Sequence, residues 1–410
     1  MEYFLAASDS IPSTPFTHSM TVRFIAVVVA LLACVVTTAS AAGRPKWHEL
    51  EHYTFDKYVA DFGRSYEKGT EEYAFRETIF NRKLSVIRAH NADSKMTWRR
   101  GVNMFTDLSD KEWKQFNKAT KSPTRQAPAK VHAAPSNYKA PLMVDYRTWT
   151  NPSVLTAIKH QGSCGSCWAH AATETMEAHY SLHTGLLPVL SAQQITSCTP
   201  APNAGCNGGD PALGFMYINT TYHGLTEEWA YPYSNFFFDY RDPNATTSAC
   251  VNTTNLFPNK HRPYSWFAEL NRAGVVGYGS AVANSATSTQ SALANEGPLA
   301  IGVAAGNWQD YETGIFQNSN ATGPNNEWGI DHAVQMVGYG HDGDLHMDYW
   351  IVRNSWSTLW GEAGYVRLYR ASDPSQEPCS PAAYGPVCGT SGCLSDPIYP
   401  FIRKNPGQKW

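Results

Sequence analysis

The sequence predicts an α+β protein whose main domain is helical in its first half and β-rich in its second, with a separate helical segment in front. Ser166 to Thr184 is a run of small and apolar residues that stops at Gly185, as a buried helix would. Beyond about Gly297 the chain turns to apolar or alternating runs broken by glycine, which is typical of strands. These runs are Leu299–Ala304, His332–Tyr339, Tyr349–Asn354 and Gly364–Arg370.

The composition narrows the class of protein. A chain of 410 residues suits two or three domains of about 100–200 residues each. Hydrophobic residues make up 42% of it and can supply a sizeable core, while a mean hydropathy of -0.38 excludes an integral membrane bundle. With 32 Lys+Arg against 35 Asp+Glu the formal charge is -3, so no nucleic-acid partner is expected.

The N-terminus has the pattern of a secretory signal. Phe24–Val36 is a 13-residue apolar run, preceded by Arg23 and followed by the small-residue pattern Ala39-Ser-Ala41. This run is shorter than the roughly 20 residues of a membrane-spanning helix, so we expect no stable membrane insertion. The polar stretch in front of it is unusual and leaves open whether translation starts at Met1 or Met20.

Cysteines and glycosylation acceptors also indicate the secretory pathway. Eight of the nine cysteines lie between Cys164 and Cys393, which suggests disulfides inside one domain and an oxidising compartment. The four Asn-x-Ser/Thr acceptors fit a glycosylated protein. They are Asn219, Asn244, Asn252 and Asn320.

The front segment, residues 46–118, carries a helical stripe. Polar and apolar residues recur there at spacings of three and four, which predicts one long helix. The stripe residues are Glu72, Arg76, Phe80, Lys83, Ile87 and Asn91. A Gly101-x-Asn103-x-Phe105-x-Asp107 motif and a short helix around Ser109–Asn117 follow. The next stretch, Ala119–Pro141, has several prolines among small and basic residues, which predicts an exposed, protease-accessible linker.

The chemistry centres on the stretch Gln161-Gly-Ser-Cys164-Gly-Ser-Cys167-Trp168. Its Cys-x-x-Cys pair admits three interpretations. A zinc site would need a second Cys/His cluster, and a thioredoxin-like redox pair would need a preceding strand; neither is evident. In the third interpretation Cys164 is in a structural disulfide and Cys167 is a nucleophile. Cys167 would then lie at the first turn of the buried helix, whose dipole stabilises a thiolate.

A nucleophile needs a proton partner, and His332 is the candidate. It lies in the strand that turns at Asp342-Gly343, a strong hairpin signal. A hairpin centred on Gly343 places His332 opposite Asn354, because both are eleven residues away. The Asn354 amide could then hold one imidazole nitrogen while the other faces the thiol. Spacing alone does not show that this hairpin meets Cys167.

These motifs resemble those of the papain-like cysteine proteases. The Gln161–Trp168 stretch is similar to the active-site motif of that family, and the likeness runs from Asp145 to about Tyr399. The other matching motifs, in order, are Leu190-Ser-Ala-Gln-Gln, Gly205-Cys-Asn-Gly-Gly209, Asp331-His332-Ala333 and Asn354-Ser-Trp356 through Trp360-Gly-Glu. The front segment resembles the inhibitory propeptide of the cathepsin L-like branch, with Lys83 in place of the first Asn of its ERFNIN stripe.

The resemblance implies a papain-like two-domain fold, with a helical left domain and an antiparallel β-barrel right domain behind the helical propeptide. It implies that Cys167 attacks the scissile carbonyl as a thiolate paired with protonated His332, which Asn354 orients. The Gln161 side chain and the Cys167 backbone N–H would form the oxyanion hole. Trp356 would shield the His332–Asn354 hydrogen bond from water.

The same resemblance implies disulfides and a substrate site. It pairs Cys164 with Cys206 and Cys198 with Cys250. Gly208 and Gly209 would pair with the backbone of an extended substrate. The residues expected to border the main specificity pocket are Asp210, Pro211 and Ala333.

Two positions depart from the family pattern. The family usually has an aromatic residue where this chain has His170. Packing as a substitute for that aromatic residue is the first interpretation, and a charged imidazole that perturbs the Cys167 thiol at low pH is a second hypothesis. The C-terminal Cys379, Cys388 and Cys393 form an odd set, so we expect one local bridge and one thiol left over, unless Cys34 provides a partner.

The predicted function is therefore a cysteine endopeptidase, made as a zymogen and activated in acid. It acts on protein or peptide substrates through an acyl-enzyme, in a lysosome- or vacuole-type compartment or outside the cell. A catalytically inactive papain-fold binding or storage protein is the alternative, and a disulfide oxidoreductase is a more distant one. We expect a monomer with no metal or cofactor, inhibited by its own propeptide and by cystatin-like proteins.

The predicted parts of the chain are 1–42 (extension and signal), 43–118 (inhibitory propeptide), 119–141 (linker) and 142–410 (peptidase domain).

Overall fold

The structure is a computed structural model of the chain. It describes residues 44–220, 224–239, 241–242, 245–251, 273–317, 329–382 and 385–403. The predicted signal peptide and, with it, Cys34 lie outside the described residues, as do the glycosylation acceptors Asn244, Asn252 and Asn320. The fourth acceptor, Asn219, lies near the end of a helix and is partly exposed.

The front segment forms a helical unit around an aromatic core. Its long helix begins after Thr70, whose hydroxyl accepts a hydrogen bond from the Tyr73 N–H. Arg76, Phe80 and Ile87 of the predicted stripe are buried, so the spacing correctly indicated the inward face of this helix. The elements are a 3₁₀ turn at Trp47–Glu49, α1 (Phe55–Asp61), α2 (Glu71–Ala92), β1 (Trp98–Arg100) and α3 (Asp110–Trp113).

The stretch 119–141 is largely exposed, as its composition predicts, but parts of it are ordered against the main domain. Ala119 and Ser122 are only 5% and 7% exposed, and β2 (Lys130–His132) pairs in parallel with a strand of the main domain. The composition of this stretch supplies no core of its own. Backbone hydrogen bonds to the edge of an existing sheet need no such core, so the stretch acquires structure from its partner.

The first half of the main domain is helical, as predicted. Every residue of its longest helix from Cys167 to Ser181 is buried. The helix ends at Gly185, which has φ 74° and forms the left-handed C-terminal cap that glycine favours. The elements are β3 (Val144–Asp145), a 3₁₀ turn at Tyr146–Thr148, α4 (Cys167–Thr184), α5 (Ala192–Cys198), a 3₁₀ turn at Gly205–Asn207 and α6 (Pro211–Thr220).

The second half contributes most of a ten-stranded sheet, counted over the described residues. Its elements are β4 (Val275–Ala281), α7 (Ala286–Asn295), β5 (Leu299–Val303), β6 (Tyr311–Phe316), β7 (His332–Asp342), β8 (Met347–Arg353), β9 (Tyr365–Arg370), β10 (Cys379–Ala382), β11 (Gly385–Cys388) and β12 (Ile398–Ile402), with 3₁₀ turns at Pro374–Gln376 and Thr390–Gly392. The strand order is β1-β6-β9-β8-β7-β5-β12-β4-β2, with β3 beside β7, and β10–β11 forms a separate hairpin. The sheet is largely antiparallel, as predicted, but β6–β9 and β2–β4 are parallel pairs. Strands β1 and β2 from in front of the main domain therefore extend both ends of the sheet.

The predicted β7–β8 hairpin is present, although its turn differs slightly. Asp342 pairs with Met347, so the turn is centred just beyond Gly343. A bulge midway along β7 then shifts the register of the two strands. The Asn354 amide still comes within hydrogen-bond reach of His332.

The candidate site lies where two buried clusters meet. Cys167 belongs to the cluster built on α4, and Trp356 belongs to the cluster built on the sheet. Strand β7 joins the two, because Ala333 faces the first cluster and Val334 the second. Among the described residues, no helix is both long and apolar enough to cross a membrane.

Candidate active site

Cys167 occupies the first turn of α4. The Cys164–Cys206 disulfide ties the preceding loop to the 3₁₀ turn at Gly205–Asn207, and the Gly165 N–H donates to the Cys206 carbonyl at 3.0 Å. A Cβ at Gly165 would lie 2.5 Å from that carbonyl oxygen, so the close approach requires glycine. Cys167 is in no disulfide and lies at the positive end of the α4 dipole.

His332 begins β7, and its ring is held from two sides. Its Nε2 donates to Oδ1 of Asn354 at 2.9 Å. The Ser355 N–H donates to the same oxygen at 2.8 Å, which fixes the orientation of the amide. The Trp356 indole stacks on the imidazole with ring centroids 4.5 Å apart. The other nitrogen, Nδ1, has no hydrogen-bond partner among the described residues and is the one left to exchange a proton.

The Gln161 side chain is oriented by Ser355. The Ser355 hydroxyl donates to Gln161 Oε1 at 2.7 Å, and the Ser355 carbonyl accepts from the Gln161 N–H at 2.9 Å. Because Oε1 is occupied, the amide nitrogen points the other way. Nε2 donates at 3.0 Å to the carbonyl of Cys164 and, also at 3.0 Å, to that of Phe116 from the front segment. The predicted oxyanion donor is thus already bound to a carbonyl oxygen.

Ser355 is a site residue that sequence reasoning missed. It lies inside the Asn354-Ser-Trp356 motif, and the only signal for it was that position between two predicted residues. Its N–H contacts the amide that orients His332, and its hydroxyl contacts Gln161. One residue therefore joins the proton-transfer group to the oxyanion donor.

Residues 116–120 lie in the cleft over Cys167. The Gly209 N–H donates to the Lys118 carbonyl at 3.2 Å, and the Thr120 N–H donates to the Gly209 carbonyl at 2.9 Å. This is two-sided backbone pairing of the kind predicted between Gly209 and an extended substrate. The chain's own backbone therefore occupies the strand position beside the nucleophile.

The other predicted substrate-binding residues surround the same segment. A Cβ at Gly208 would lie 2.3 Å from the Lys118 carbonyl oxygen, so glycine is what admits a backbone this close. Asp210 and Ala333 are each 1% exposed, and Pro211 begins α6. Gly209 and Asp210 thus contact the backbone of residues 118–122, and the Ala333 backbone contacts the Cys167 thiol.

Coverage by the front segment favours the neutral forms of both reacting groups. Cys167 and His332 are each 0% exposed. Burial raises the pKa of the Cys167 thiol to about 11, against hydrogen bonds from the neighbouring backbone that lower it. Burial lowers the pKa of His332 to about 4 and outweighs its hydrogen bond to Asn354. The thiolate–imidazolium pair expected of the working enzyme therefore belongs to the uncovered site.

Aromatic contacts hold the front segment over the site, and an ion pair stabilises the segment itself. The Trp113 and Phe105 rings pack edge-on against Trp356, with centroid distances of 4.9 and 5.8 Å. Behind them, Arg76 donates two hydrogen bonds of 2.7 Å to the Glu112 carboxylate. The two side chains are 6% and 10% exposed, so this ion pair is largely shielded from water.

The remaining cysteines pair as expected. Cys198 and Cys250 form the second implied disulfide, and Cys379 and Cys388 form the one local bridge expected among the C-terminal set. Cys393 is the thiol left over, and it is buried. The described residues thus contain two free thiols, one in the cleft and one in the core of the sheet.

His170 packs inside the helical half. It is 2% exposed, its Nδ1 donates to the Ser166 carbonyl at 3.0 Å, and its ring meets Tyr233 edge-on at 4.9 Å. Burial, with a smaller contribution from neighbouring cations such as Lys159, lowers the pKa of His170 to about 3 and outweighs its hydrogen bond to Ser166. This environment favours the packing interpretation over a charged imidazole.

Comparison with known proteins agrees with this geometry. Residues 140–385 match the papain family cysteine proteases, and residues 55–113 match the cathepsin propeptide inhibitor domain (I29). The chain belongs to the papain family of cysteine proteases. Within that family it has the organisation of a zymogen: a cysteine endopeptidase domain behind an inhibitory propeptide of the cathepsin type.

Individual relatives are distant but extend over most of the chain. Digestive cysteine proteinase 2 of Homarus americanus and cathepsin S of Bos taurus are each 31% identical and align over 84% of this chain and 94% of their own. Procathepsin L 3 of the Tenebrio molitor larval midgut superposes with a TM-score of 0.64 at 26% identity, covering 84% of this chain and 97% of that one. A recombinant stem bromelain precursor gives 0.64 at 27% identity, covering 85% and 98%.

Proposed function

We propose that Cys167, His332, Asn354 and Gln161 hydrolyse peptide bonds once the front segment has left the cleft. The Cys167 thiolate attacks the scissile carbonyl, and the oxyanion accepts hydrogen bonds from Gln161 Nε2 and the Cys167 N–H. His332 protonates the leaving amine from Nδ1, which leaves a thioester on Cys167. It then takes a proton from the water that hydrolyses this thioester, and the carboxylic acid product and free thiol are released.

One observation supports this proposal most directly. The carbonyl of Phe116 accepts a hydrogen bond from Gln161 Nε2 at 3.0 Å, while the adjoining backbone pairs with Gly209. A backbone carbonyl of the chain itself thus lies in contact with the predicted oxyanion donor, next to the nucleophile. An extended substrate would place its scissile carbonyl in a similar environment.

The inhibitory part would be residues 43–118, followed by the linker 119–141 and the peptidase domain 142–410. Acid would release the front segment by destabilising its own fold, in which two buried carboxylates bind arginine side chains. The Asp107 carboxylate accepts from Arg64 at 3.0 Å and from the Tyr66 hydroxyl at 2.7 Å. Glu112 binds Arg76 across α2 and α3, and protonation of Glu112 removes the charge from this pair.

We further propose that the protein is secreted, glycosylated on its Asn-x-Ser/Thr acceptors and monomeric. Disulfides within the described main domain support an oxidising route. Relatives named as digestive cysteine proteinases and as cathepsins support either an extracellular site or a lysosome-type acidic compartment. Cystatin-like inhibitors would enter the cleft that residues 116–120 vacate.

Mass spectrometry after acid treatment and incubation with a thiol-reactive epoxide peptide tests the assignment. The expected result is one adduct on Cys167, carried by a chain that now begins between residues 136 and 144. A Cys167→Ser variant processed by added wild-type enzyme is the control and should carry no adduct. Loss of the front segment without an adduct would contradict the proposal and favour the inactive binding or storage protein.

A further inference from the structure

An acidic pocket lies beside the strand position occupied by residues 118–120. Asp210 directly follows Gly209 and is 1% exposed, and the Asp396 side chain is 19% exposed. Tyr278 belongs to the same buried cluster as Cys167 and completes the wall between the two carboxylates. Both carboxylates come from the main domain, although they are far apart in the sequence.

The front part of the chain fills this pocket with a cation. The Arg125 guanidinium uses both terminal nitrogens on the Asp396 carboxylate, the first at 2.6 Å, and lies 3.6 Å from Asp210. Its side chain is only 11% exposed. Lys121 adds a second cation 3.2 Å from Asp396. The Asp210 carboxylate also accepts the Ser122 N–H at 2.8 Å, so the whole turn 121–125 is held at this wall.

Removal of the front segment together with the linker 119–141 would leave these two carboxylates without the cations of Lys121 and Arg125. A shielded carboxylate is stable when a cation or several hydrogen-bond donors neutralise it, and it disfavours apolar groups. Asp210 keeps hydrogen bonds from the main domain, including the Ala212 N–H at 2.8 Å. Within the described part of the chain, no hydrogen-bond donor of the main domain contacts the Asp396 carboxylate. Asp396 is therefore the group that depends most on a cation from outside.

We propose that this pocket selects substrates with a basic side chain, arginine above lysine, and that Asp396 is the residue that determines the preference. The inference rests on the proposed peptidase function and adds a substrate class to it. Arginine is favoured because its planar fork matches the two oxygens of one carboxylate, as Arg125 shows, whereas lysine offers a single point of contact. The aliphatic stem of either side chain can pack along the wall formed by Tyr278.

Matched peptide substrates test the preference on the acid-activated enzyme. A set of fluorogenic tetrapeptides would carry arginine, lysine, citrulline or leucine at each position in turn, with all other residues unchanged. Citrulline keeps the shape of arginine without its charge. At one position we expect kcat/KM for arginine to exceed that for citrulline by about 10- to 100-fold, the range of a hydrogen-bonded charge pair. Equal rates for the two at every position would overturn the inference.

Single substitutions test which residue is responsible for the arginine preference. Asp396→Asn should remove most of the arginine preference, so that kcat/KM for the arginine peptide falls to near that for the citrulline peptide. Asp344→Asn, which changes an exposed carboxylate on the β7–β8 turn, is the matched control and should keep the preference. An arginine preference that survives Asp396→Asn would refute the role of this residue.

Two further measurements separate the possible failures. Titration with the epoxide peptide counts active sites, so a preparation that neither labels nor cleaves any peptide contradicts the peptidase function itself. A labelled enzyme without arginine preference contradicts only the inference.

If Asp396→Asn does not fold, a synthetic peptide of residues 116–128 serves instead. Replacing its Arg125 by citrulline should weaken inhibition of the wild-type enzyme about 10-fold or more, and unchanged inhibition would overturn the inference.

Discussion

Asn354 and its neighbour Ser355 show how much of the site depends on single hydrogen bonds. The Asn354 carbonyl oxygen accepts from both His332 Nε2 and the Ser355 N–H, so it can accept but not donate at that position. The histidine proton is thereby held on Nε2. Nδ1 is consequently the nitrogen available to the thiol.

The first prediction concerns Ser355→Ala in the activated enzyme. Loss of the hydroxyl that orients Gln161 should lower kcat for peptide hydrolysis by about 10- to 100-fold. KM should change little, because the misplaced Gln161 amide weakens the hydrogen bond to the developing oxyanion and not the binding of the substrate. Alkylation of Cys167 by iodoacetamide forms no oxyanion, so its rate should stay unchanged. Ser375→Ala, an exposed serine, is the control. Equal losses in hydrolysis and alkylation would mean that Ser355 has a general structural role.

A second prediction concerns His170→Phe. Because burial lowers the pKa of His170 to about 3, this imidazole is neutral above about pH 4 and contributes no charge near Cys167. The pH dependence of Cys167 alkylation in the activated enzyme should therefore be the same in His170→Phe and wild type between pH 4 and 9. His341→Phe, on the exposed part of the hairpin, controls for the loss of a histidine. A displaced profile in His170→Phe alone would restore the charged-imidazole hypothesis.

At the scale of elements, the ion pair between α2 and α3 stabilises the fold of the front segment itself. Burial alone would raise the pKa of Glu112, but hydrogen bonds from Arg76 and Ser109 outweigh it and lower the pKa to about 2. A lowered carboxylate pKa stabilises the fold above the ordinary value of 4.5, and this contribution is lost as the pH falls from 4.5 towards 2. Because this stabilising contribution falls with the pH, acid is expected to favour release of the front segment.

The third prediction is that Arg76→Gln makes the zymogen activate at higher pH. Removing one partner of a shielded pair leaves an uncompensated charge and costs about 3–5 kcal/mol. Glu112 would then take up its proton at higher pH, and the front segment would leave earlier in an acid titration. The measurement is the pH at which half of the zymogen is processed in a fixed time.

Arg82→Gln supplies the matched control on the same helix. Arg82 pairs with Asp110 at 3.5 Å, but the two side chains are 59% and 75% exposed. Exposed pairs contribute about 0–1 kcal/mol, so this variant should process like the wild type. If the two variants behaved alike, the Arg76–Glu112 pair would not be the contact that resists acid.

For the molecule as a whole, the front segment excludes water from the site as well as blocking it. Strand β1 extends one end of the sheet, β2 extends the other, and residues 116–120 cross the cleft between them. Cys167 and His332 become fully buried, which favours thiol and imidazole over thiolate and imidazolium. The zymogen is thus held inactive by the protonation states of its catalytic groups in addition to steric blockage.

The fourth prediction is that zymogen Cys167 resists alkylation at pH 7 and becomes reactive on activation. A thiol with a pKa of about 11 is only about 10⁻⁴ ionised at pH 7, whereas an ordinary cysteine is a few per cent ionised. The alkylation rate should therefore rise by at least about 100-fold when the front segment leaves. Cys393, buried in both states, is an internal control in the same mass spectrum. Rapid labelling of Cys167 in the intact zymogen would contradict the closed site described above.

Several elements were predictable because their signals are local. The period of the α2 stripe, the Gly185 stop of α4 and the Asp342-Gly343 turn each lie within one continuous segment. The stretch 119–141 was not predictable in the same way. Its order comes from backbone pairing with β4, whose residues lie far along the chain, and from side chains that its own composition does not include.

The residues of the candidate site also fall into two groups, those predictable from local sequence and those whose role depends on the tertiary structure. The chain sequence was sufficient to propose a nucleophile, a proton partner, an orienting amide and an oxyanion donor, because the resemblance to family motifs rests on residue types and their local spacing. Ser355 gained a role only when folding brought its hydroxyl to Gln161, 194 residues away. The Arg125–Asp396 pair likewise spans 271 residues. Charge pairing and burial of the cleft depend on distance in space, which local sequence patterns do not encode. The Arg125–Asp396 contact and the neutral forms of Cys167 and His332 therefore follow only from the tertiary structure.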